Sequence, residues 1–517
     1  MTRASFPQSK QIPTLFRGIA MSELDRREAL SALALGLVSG GGASAQGVGR
    51  KADLIRLENE KEGTTDWQLT NVRLDSTAKF RQSILEGYAN KMSVFAGESL
   101  SFHVSTTPTA PFHIDIYRLG YYQGTGGRHL ARYGPFPGKV QPVPAFANKR
   151  LRECKWDPCT TIEIPASWPS GVYLGKLTST KHRYQSYVTF IIKDNRPADF
   201  LFQCSTNTWQ AYNKWPDASS LYDNDRPDKK PLVPNVQVSF DRPFAKYPQV
   251  SDNPLSLGSG EFLLFEFPFS YWLEQNGYDV TYGTNEDIHT HGLPFITRTK
   301  GFLSVGHDEY WSRPQFDTCL AAVKAGVNFG FFSGNAVCFV TPFSPSSRGA
   351  ENRIIERTGR YGGMRPEEEK WMAELDSAPN ENSLIGARTV IPFNGSGDWI
   401  CTKPEHWIFA HTNMKKGDRI PGLVGWEHHG NPADIPGIEV VAAGKTWNGG
   451  EEESHYEATI YPGPKGNTVF NAATIFWAQG LGSPPGHWLP FVHNGRPHGP
   501  DKRVQQITKN LLEKWRS

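Results

Sequence analysis

A chain of 517 residues exceeds the roughly 250–300 residues over which a single hydrophobic core grows, so more than one folding unit is expected. A hydrophobic fraction of 38%, with 15 Trp, 18 Tyr and 30 Phe, excludes wholesale disorder. The formal net charge of +3 provides no basic field for phosphate backbones, so no nucleic-acid partner is expected.

Residues 1–45 read as a twin-arginine export signal. Arg26-Arg27 precede a mildly apolar run over 31–39 and the small-residue site Ala43-Ser44-Ala45, although Ala29-Leu30 stands where such signals usually carry Phe-Leu. Met21 is an alternative start. Export implies a periplasmic or secreted protein, and no other stretch reaches the roughly 18 apolar residues of a transmembrane span. Residues 46–65 are charged and aperiodic and read as a linker.

Short alternating runs fill 66–194: 99–104, 112–117, 160–164, 171–177 and 186–192, parted by Gly, Pro and Asn. Such spacing predicts an all-β domain, a β-sandwich. Within it Cys154 and Cys159 lie close enough in sequence to form a small-loop disulfide in an oxidising compartment.

From 195 to 517 the pattern changes to apolar strands alternating with helices. Strands are predicted at 198–203, 279–283, 302–305 and 327–332, and helices at 262–276 and 313–325, the latter closed by Gly326. Strand, helix, strand in that order implies an α/β domain with a parallel sheet and right-handed crossovers. Short helices are predicted at 353–357 and 366–375, a β-rich insertion at 386–480, and a closing amphipathic helix at 503–515.

Ligands bind outside the carboxyl ends of parallel strands, and two predicted strand ends carry chemistry. One delivers Gly306-His307-Asp308-Glu309-Tyr310-Trp311, the other Ser333-Gly334-Asn335-Ala336-Val337-Cys338. If the strands are neighbours, His307, Glu309 and Tyr310 face Asn335 and Cys338. The alternative is that Tyr310 and Trp311 are core aromatics and the acids cap the following helix. A Cys338 nucleophile lacks the small flanking residues of a nucleophile elbow. His289-Thr290-His291 and Glu427-His428-His429 lack a third ligand at recognisable spacing.

Glu86-Gly87-Tyr88-Ala89, Ile114-Asp115-Ile116-Tyr117-Arg118-Leu119-Gly120-Tyr121-Tyr122, Trp209-Gln210-Ala211-Tyr212-Asn213, Val305 to Trp311, Phe332-Ser333-Gly334-Asn335 and Ile475-Phe476-Trp477-Ala478-Gln479-Gly480-Leu481 occur in this order. Together they resemble the family related to the large (beta) subunit of N,N-dimethylformamidase. The resemblance implies a β-sandwich ahead of an amidotransferase-like α/β domain. It implies metal-assisted hydrolysis of the C–N bond of a small amide, with mononuclear iron held by two tyrosines and a glutamate. Carried over, one tyrosine is Tyr310 and the glutamate is Glu427, with Glu309, His307 and Asn335 as catalytic or orienting groups. The second tyrosine position holds Cys338, a soft ligand in place of a hard one, so iron should bind more weakly or give way to another metal. A small partner subunit or a homo-oligomer is compatible with this resemblance. The alternative from another class is a noncatalytic exported binding protein, for glycan or a protein partner, with a degenerate metal site.

Overall fold

The computed structural model describes residues 53–517 apart from 226–229, 231, 249–255, 366–367, 369–371, 373–374, 392–394, 448–452 and 489–498. In its first half, strands form where β-branched and aromatic residues run between Gly, Pro and Asn turns. They are β1 (Glu86–Ala89), β2 (Ser93–Phe95), β3 (Ser99–Ser105), β4 (Phe112–Leu119), β5 (Gly127–Phe136), β6 (Thr160–Glu163), β7 (Gly171–Ser179) and β8 (Gln185–Lys193). One sheet has the order β1-β3-β6 and the other β2-β8-β7-β4-β5. Leu100 and Phe102 of the first share an apolar core with Ile114, Ile116 and Phe190 of the second. The Phe102 and Phe190 rings meet edge to face at 5.9 Å.

Two expectations for this region are corrected. Within the supposed linker, helix α1 (Leu54–Asn59) is docked: Glu58 Oε1 accepts from Tyr122 Oη and Arg128, and Asn59 Oδ1 accepts the backbone N–H groups of Tyr121 and Tyr122. Cys154 and Cys159 are free thiols rather than a disulfide. Cys154 packs with Tyr88, Trp156 and Trp215, whereas Cys159 borders the core between the two sheets. Trp156, between them in sequence, is fully buried in the Cys154 cluster and donates Nε1–H to Pro142 O.

Beyond residue 195 come β9 (Ala198–Cys204), α2 (Thr206–Tyr212), β10 (Gln237–Ser239), α3 (Phe267–Gln275), β11 (Val280–Thr284), α4 (Asn285–His291), α5 (Leu293–Thr297), β12 (Thr299–Gly306), β13 (Tyr310–Trp311), α6 (Arg313–Ala325) and β14 (Asn328–Ser333). A seven-stranded sheet runs β11-β9-β12-β14, then Thr468–Asn471, Glu453–Pro462 and Glu439–Trp447. Its first five strands are parallel and its last two antiparallel. Phe302 and Phe329 meet the α6 side chains Phe316 and Cys319, while Leu303 and Val305 belong to the cluster containing Leu511 and Leu512 of the C-terminal helix Lys502–Arg516. Burial on both faces explains why these strands are almost continuously apolar. The helix α6 begins where Ser312 Oγ accepts the Gln315 N–H, and ends at Gly326 in the left-handed region.

The segment expected as a helix over 353–357 is a strand, Ile354–Glu356, paired antiparallel with β10. Adjacent β-branched residues favour extended backbone, and Ile355 is fully buried there. The short helix expected at 366–375 falls mostly outside the described residues, and the export signal falls wholly outside them. The chain is therefore a mixed α/β protein with parallel and mixed sheets. No helix among the described residues is long and apolar enough to cross a membrane.

One buried ion pair ties the halves together. Arg118 on β4 donates from both terminal nitrogens to Glu274 on α3, at 2.9 and 2.8 Å, and both side chains are fully buried. Arg118→Met would leave a buried carboxylate without its cation, and we expect it to cost about 3–5 kcal/mol in urea denaturation. Adding Glu274→Leu should recover part of that loss. A double variant less stable than the single one would refute this account.

Candidate metal centre

The ends of β9, β12 and β14 lie side by side, with Ser304 paired to Gln203 and Gly306 to Ser333. Past these ends the chain must turn sharply, and two glycines permit it. Gly306 has φ +68°, and a Cβ there would press on the Phe265 backbone. At Gly334 a Cβ would collide with the Glu427 carbonyl oxygen. Asn335 and Val337 follow in the left-handed region, at φ 53° and 55°. Such backbone is costly for a β-branched valine and is held by surrounding structure. Part of that hold is His429: its Nε2 accepts the Ala336 N–H at 2.9 Å and its Nδ1–H donates to Asn471 Oδ1 at 2.8 Å. The Ile475 N–H donates to Glu427 O. The loops bearing Asn335 and Glu427 are thus stitched to each other and to the sheet.

His307 is the centre of the group they enclose. Its Nδ1–H donates to Glu261 Oε2 at 2.8 Å. Its Nε2 faces Glu427 Oε2 at 3.0 Å and Glu309 Oε2 at 3.3 Å. Both Nε2 and Glu427 Oε2 are buried, and apart from these charged contacts neither has a hydrogen-bond partner. One ligand atom from each of His307, Glu309 and Glu427 fits within a mutual separation of 4.8 Å.

Glu309 is held on both oxygens. Asn335 Nδ2 donates to Oε1 at 3.0 Å and is itself oriented by Thr389 Oγ1, which donates to Asn335 Oδ1 at 2.8 Å. Tyr212 Oη donates to Oε2 at 2.9 Å. Behind Tyr212 runs a chain of donors: Arg357 Nη1 to Tyr310 Oη at 3.1 Å, Tyr310 Oη to Tyr222 Oη at 2.8 Å, and Tyr222 Oη to Tyr212 Oη at 2.6 Å.

Three carboxyl groups surround one imidazole here, so full ionisation leaves two negative charges in excess within the group. Burial pushes the carboxyls of Glu427 and Glu261 up, against the lowering effect of His307. For His307 burial opposes the charged form, but Glu427 and Glu261 prevail and hold its pKa well above the usual imidazole value. A buried site with this imbalance attracts either protons or a cation. The Glu261–His307 contact has the form of a metal site's supporting shell, in which a carboxylate fixes the tautomer and frees the other ring nitrogen.

The residues anticipated from sequence are distributed as follows. His307, Glu309, Glu427 and Asn335 come together, with Asn335 aimed at Glu309. Tyr310 stands at the far end of the phenol chain, its hydroxyl engaged by Arg357 and Tyr222. Burial pushes its pKa well above 10, with Glu309 adding to the effect and Arg357 opposing it. Cys338 is buried under Phe339 and Arg360, and burial raises its thiol far from the thiolate a nucleophile needs. His428 and His429 are neutral packing groups, pushed down by burial to about 3 and about 4. His289 meets Ser312, and His291 lies beside Lys193.

Sequence reasoning missed Glu261, Tyr212, Tyr222 and Arg357. Glu261 did leave a trace, as a charge at the edge of the apolar run 262–265, where an acid is rarely buried without purpose. The π-helical turn Phe262–Glu266 that follows it is visible only in the fold.

If the close approach at Gly334 positions Glu427, then Gly334→Ala should cost about 1–3 kcal/mol in thermal or chemical unfolding, as overpacking does. Unchanged stability would mean that the Glu427 loop yields freely.

A comparison with curated proteins finds no match. The family model described as "N,N-dimethylformamidase beta subunit-like, C-terminal" matches residues 113–490, a span that contains Glu261, His307, Glu309, Tyr310, Asn335 and Glu427. The chain belongs to the N,N-dimethylformamidase beta subunit-like family.

Proposed function

We propose that this protein is a metal-dependent hydrolase of the C–N bond of a small amide, with the ion held by His307 Nε2 and the carboxylates of Glu309 and Glu427. The observation that carries the proposal is the convergence of three buried ligand atoms, one each from His307, Glu309 and Glu427, within 4.8 Å of one another, with His307 Nε2 and Glu427 Oε2 facing each other at 3.0 Å. An imidazole nitrogen and two carboxylates are a donor set for iron, zinc or manganese, so the iron expected from the sequence resemblance is among the ions it could hold. Such an ion supplies Lewis acidity to a carbonyl oxygen and to a water molecule.

The chain's own groups do the rest. Glu261 holds one proton of His307 on Nδ1, so a cation need displace only the proton that the surrounding carboxylates keep on Nε2. Asn335 and Tyr212 fix Glu309, so little rearrangement is needed when charge develops. Hydrolysis forms a C–O bond from water, breaks the C–N bond and returns a proton to the departing amine. Glu309 Oε2, where the phenol chain ends, is the site through which that proton moves. Burial of all three proposed ligands to below a tenth of full exposure fits a small substrate. The two N-terminal sheets we read as a β-sandwich and the parallel sheet as amidotransferase-like, with export by the twin-arginine route.

Metal analysis and amide hydrolysis together test this proposal. The purified protein should carry about one equivalent of metal. Glu427→Gln should lose both metal and activity, whereas Tyr310→Phe and Cys338→Ala keep the metal. Loss of metal in Tyr310→Phe would return the site to a tyrosinate ligand set, and metal-free active protein would sink the proposal.

A further inference from the structure

A polar groove lies on the outer face of the five-stranded sheet, remote in kind from the buried acid–imidazole group. The segment Thr65–Thr70 crosses β7 and β8 as a strap: Lys176 Nζ donates to Asp66 O and Gln68 O, both at 2.7 Å, Tyr187 Oη donates to Trp67 O at 2.7 Å, and Gln185 Oε1 accepts the Thr70 N–H at 2.7 Å. Between strap and sheet is a cleft of about 690 Å³ whose lining includes His113, Asp115, Tyr117, Arg132, Lys176 and Thr178. That volume is within the range of ligand sites, roughly 300–1,000 Å³. A second cleft of about 380 Å³ shares Asp66, Asp115, Tyr117 and Arg132 with the first and adds Glu62 and His129. The two form one elongated groove.

Its floor keeps hydrogen-bonding capacity in reserve. Lys176, only 7% exposed, spends two of its three N–H groups on the strap, and burial lowers its pKa against the opposing pull of Asp66 and Asp115. Arg132 uses Nε and one terminal nitrogen on Asp115, at 2.7 and 3.1 Å, leaving the other terminal nitrogen. His113 Nδ1 is buried without a partner. Tyr117 lines both clefts, and its hydroxyl makes no hydrogen bond with the described residues. Asp66 lines both clefts and Glu62 the second.

Donors and acceptors are interspersed along the whole length. An anion would meet Asp66 and Glu62, and a cation would meet Lys176, Arg132 and Arg183. A hydroxyl both donates and accepts, so a chain of hydroxyls satisfies both kinds of group at once. Apolar ligands are disfavoured, since the lining offers one phenol and few aliphatic side chains. We propose that this groove binds a neutral oligosaccharide, lying along β4 between the strap and β5 and held by hydrogen bonds from Lys176, Arg132, Tyr117 and Thr178.

The test titrates maltotetraose, cellotetraose, xylotetraose and chitotetraose against the full chain by calorimetry and saturation-transfer NMR, with sulfate and spermidine as ionic controls. One tetrasaccharide should bind, and Tyr117→Phe or Thr178→Val should weaken it about three- to tenfold each, the worth of one hydrogen bond. Arg183→Ala, exposed at the rim, provides a variant with no burden on folding and should weaken it as well. Amide hydrolysis should be the same in all three, which separates this proposal from the metal centre. Binding unaffected by the three variants, binding of only sulfate or spermidine, or no binding of any tetrasaccharide would each overturn it.

Discussion

A single imidazole surrounded by three carboxyl groups in a water-poor interior is the constraint around which the α/β half is arranged. Such a group cannot exist fully ionised on its own, because the low local dielectric magnifies every uncompensated charge. The surroundings answer in two ways. Glu261 takes one face of His307 in a hydrogen bond, and Asn335 and Tyr212 take the outer lone pairs of Glu309. Glu261 Oε1 is left without a partner, and His307 Nε2 and Glu427 Oε2 have only their charged contacts within the group. Repulsion that would scatter the acids is therefore directed at one point, and that is the property a cation site requires.

Bringing four segments to that point demands backbone approaches that side chains would forbid. Gly306 lets the His307 turn lie on Phe265, and Gly334 lets the Asn335 turn lie on the Glu427 carbonyl. The left-handed Asn335 and Val337 are strained, and the His429 bonds to Ala336 and Asn471 keep them there. Stability elsewhere sustains this local cost. The large aromatic core of the sheet contributes, as does the buried Arg118–Glu274 pair, which Asn59 and Tyr282 complete by donating to the same carboxylate.

How far the sequence foretold this can be read from particular residues. The run from 302 to 306 was legible because a strand buried on both faces must be apolar, and its abrupt change to His307-Asp308-Glu309 marks a strand end. Neighbouring of β12 and β14 followed from chain order. The strand at 354–356 was misread because Arg353, Glu356 and Arg357 have helical charge spacing, whereas the partner that makes it a strand, β10, lies more than a hundred residues earlier. Tyr212, Tyr222, Glu261 and Arg357 stayed hidden for the same reason: each reaches the site through tertiary contacts that no local pattern encodes. The thiols of Cys154 and Cys159 looked pairable at five residues' separation, but spacing carries no information on the two different apolar clusters in which they pack.

The phenol chain gives Tyr310 a set of partners that do not include the cysteine at 338. Every hydrogen bond in it runs the same way, from the Arg357 guanidinium through Tyr310, Tyr222 and Tyr212 to Glu309. Bonds aligned head to tail polarise one another, so donation into Glu309 is stronger than one phenol alone would provide. Burial drives all three phenols well above their ordinary pKa, which keeps them protonated and donating. Tyr310 in this setting supports a carboxylate from a distance, and the hydroxyl that the family pattern would aim at a metal is spent on Tyr222. Cys338 cannot supply a second phenolate, and the proposed ligand set of His307, Glu309 and Glu427 calls on neither residue. The same tyrosine then serves the site as a link in the chain of donors that ends on Glu309.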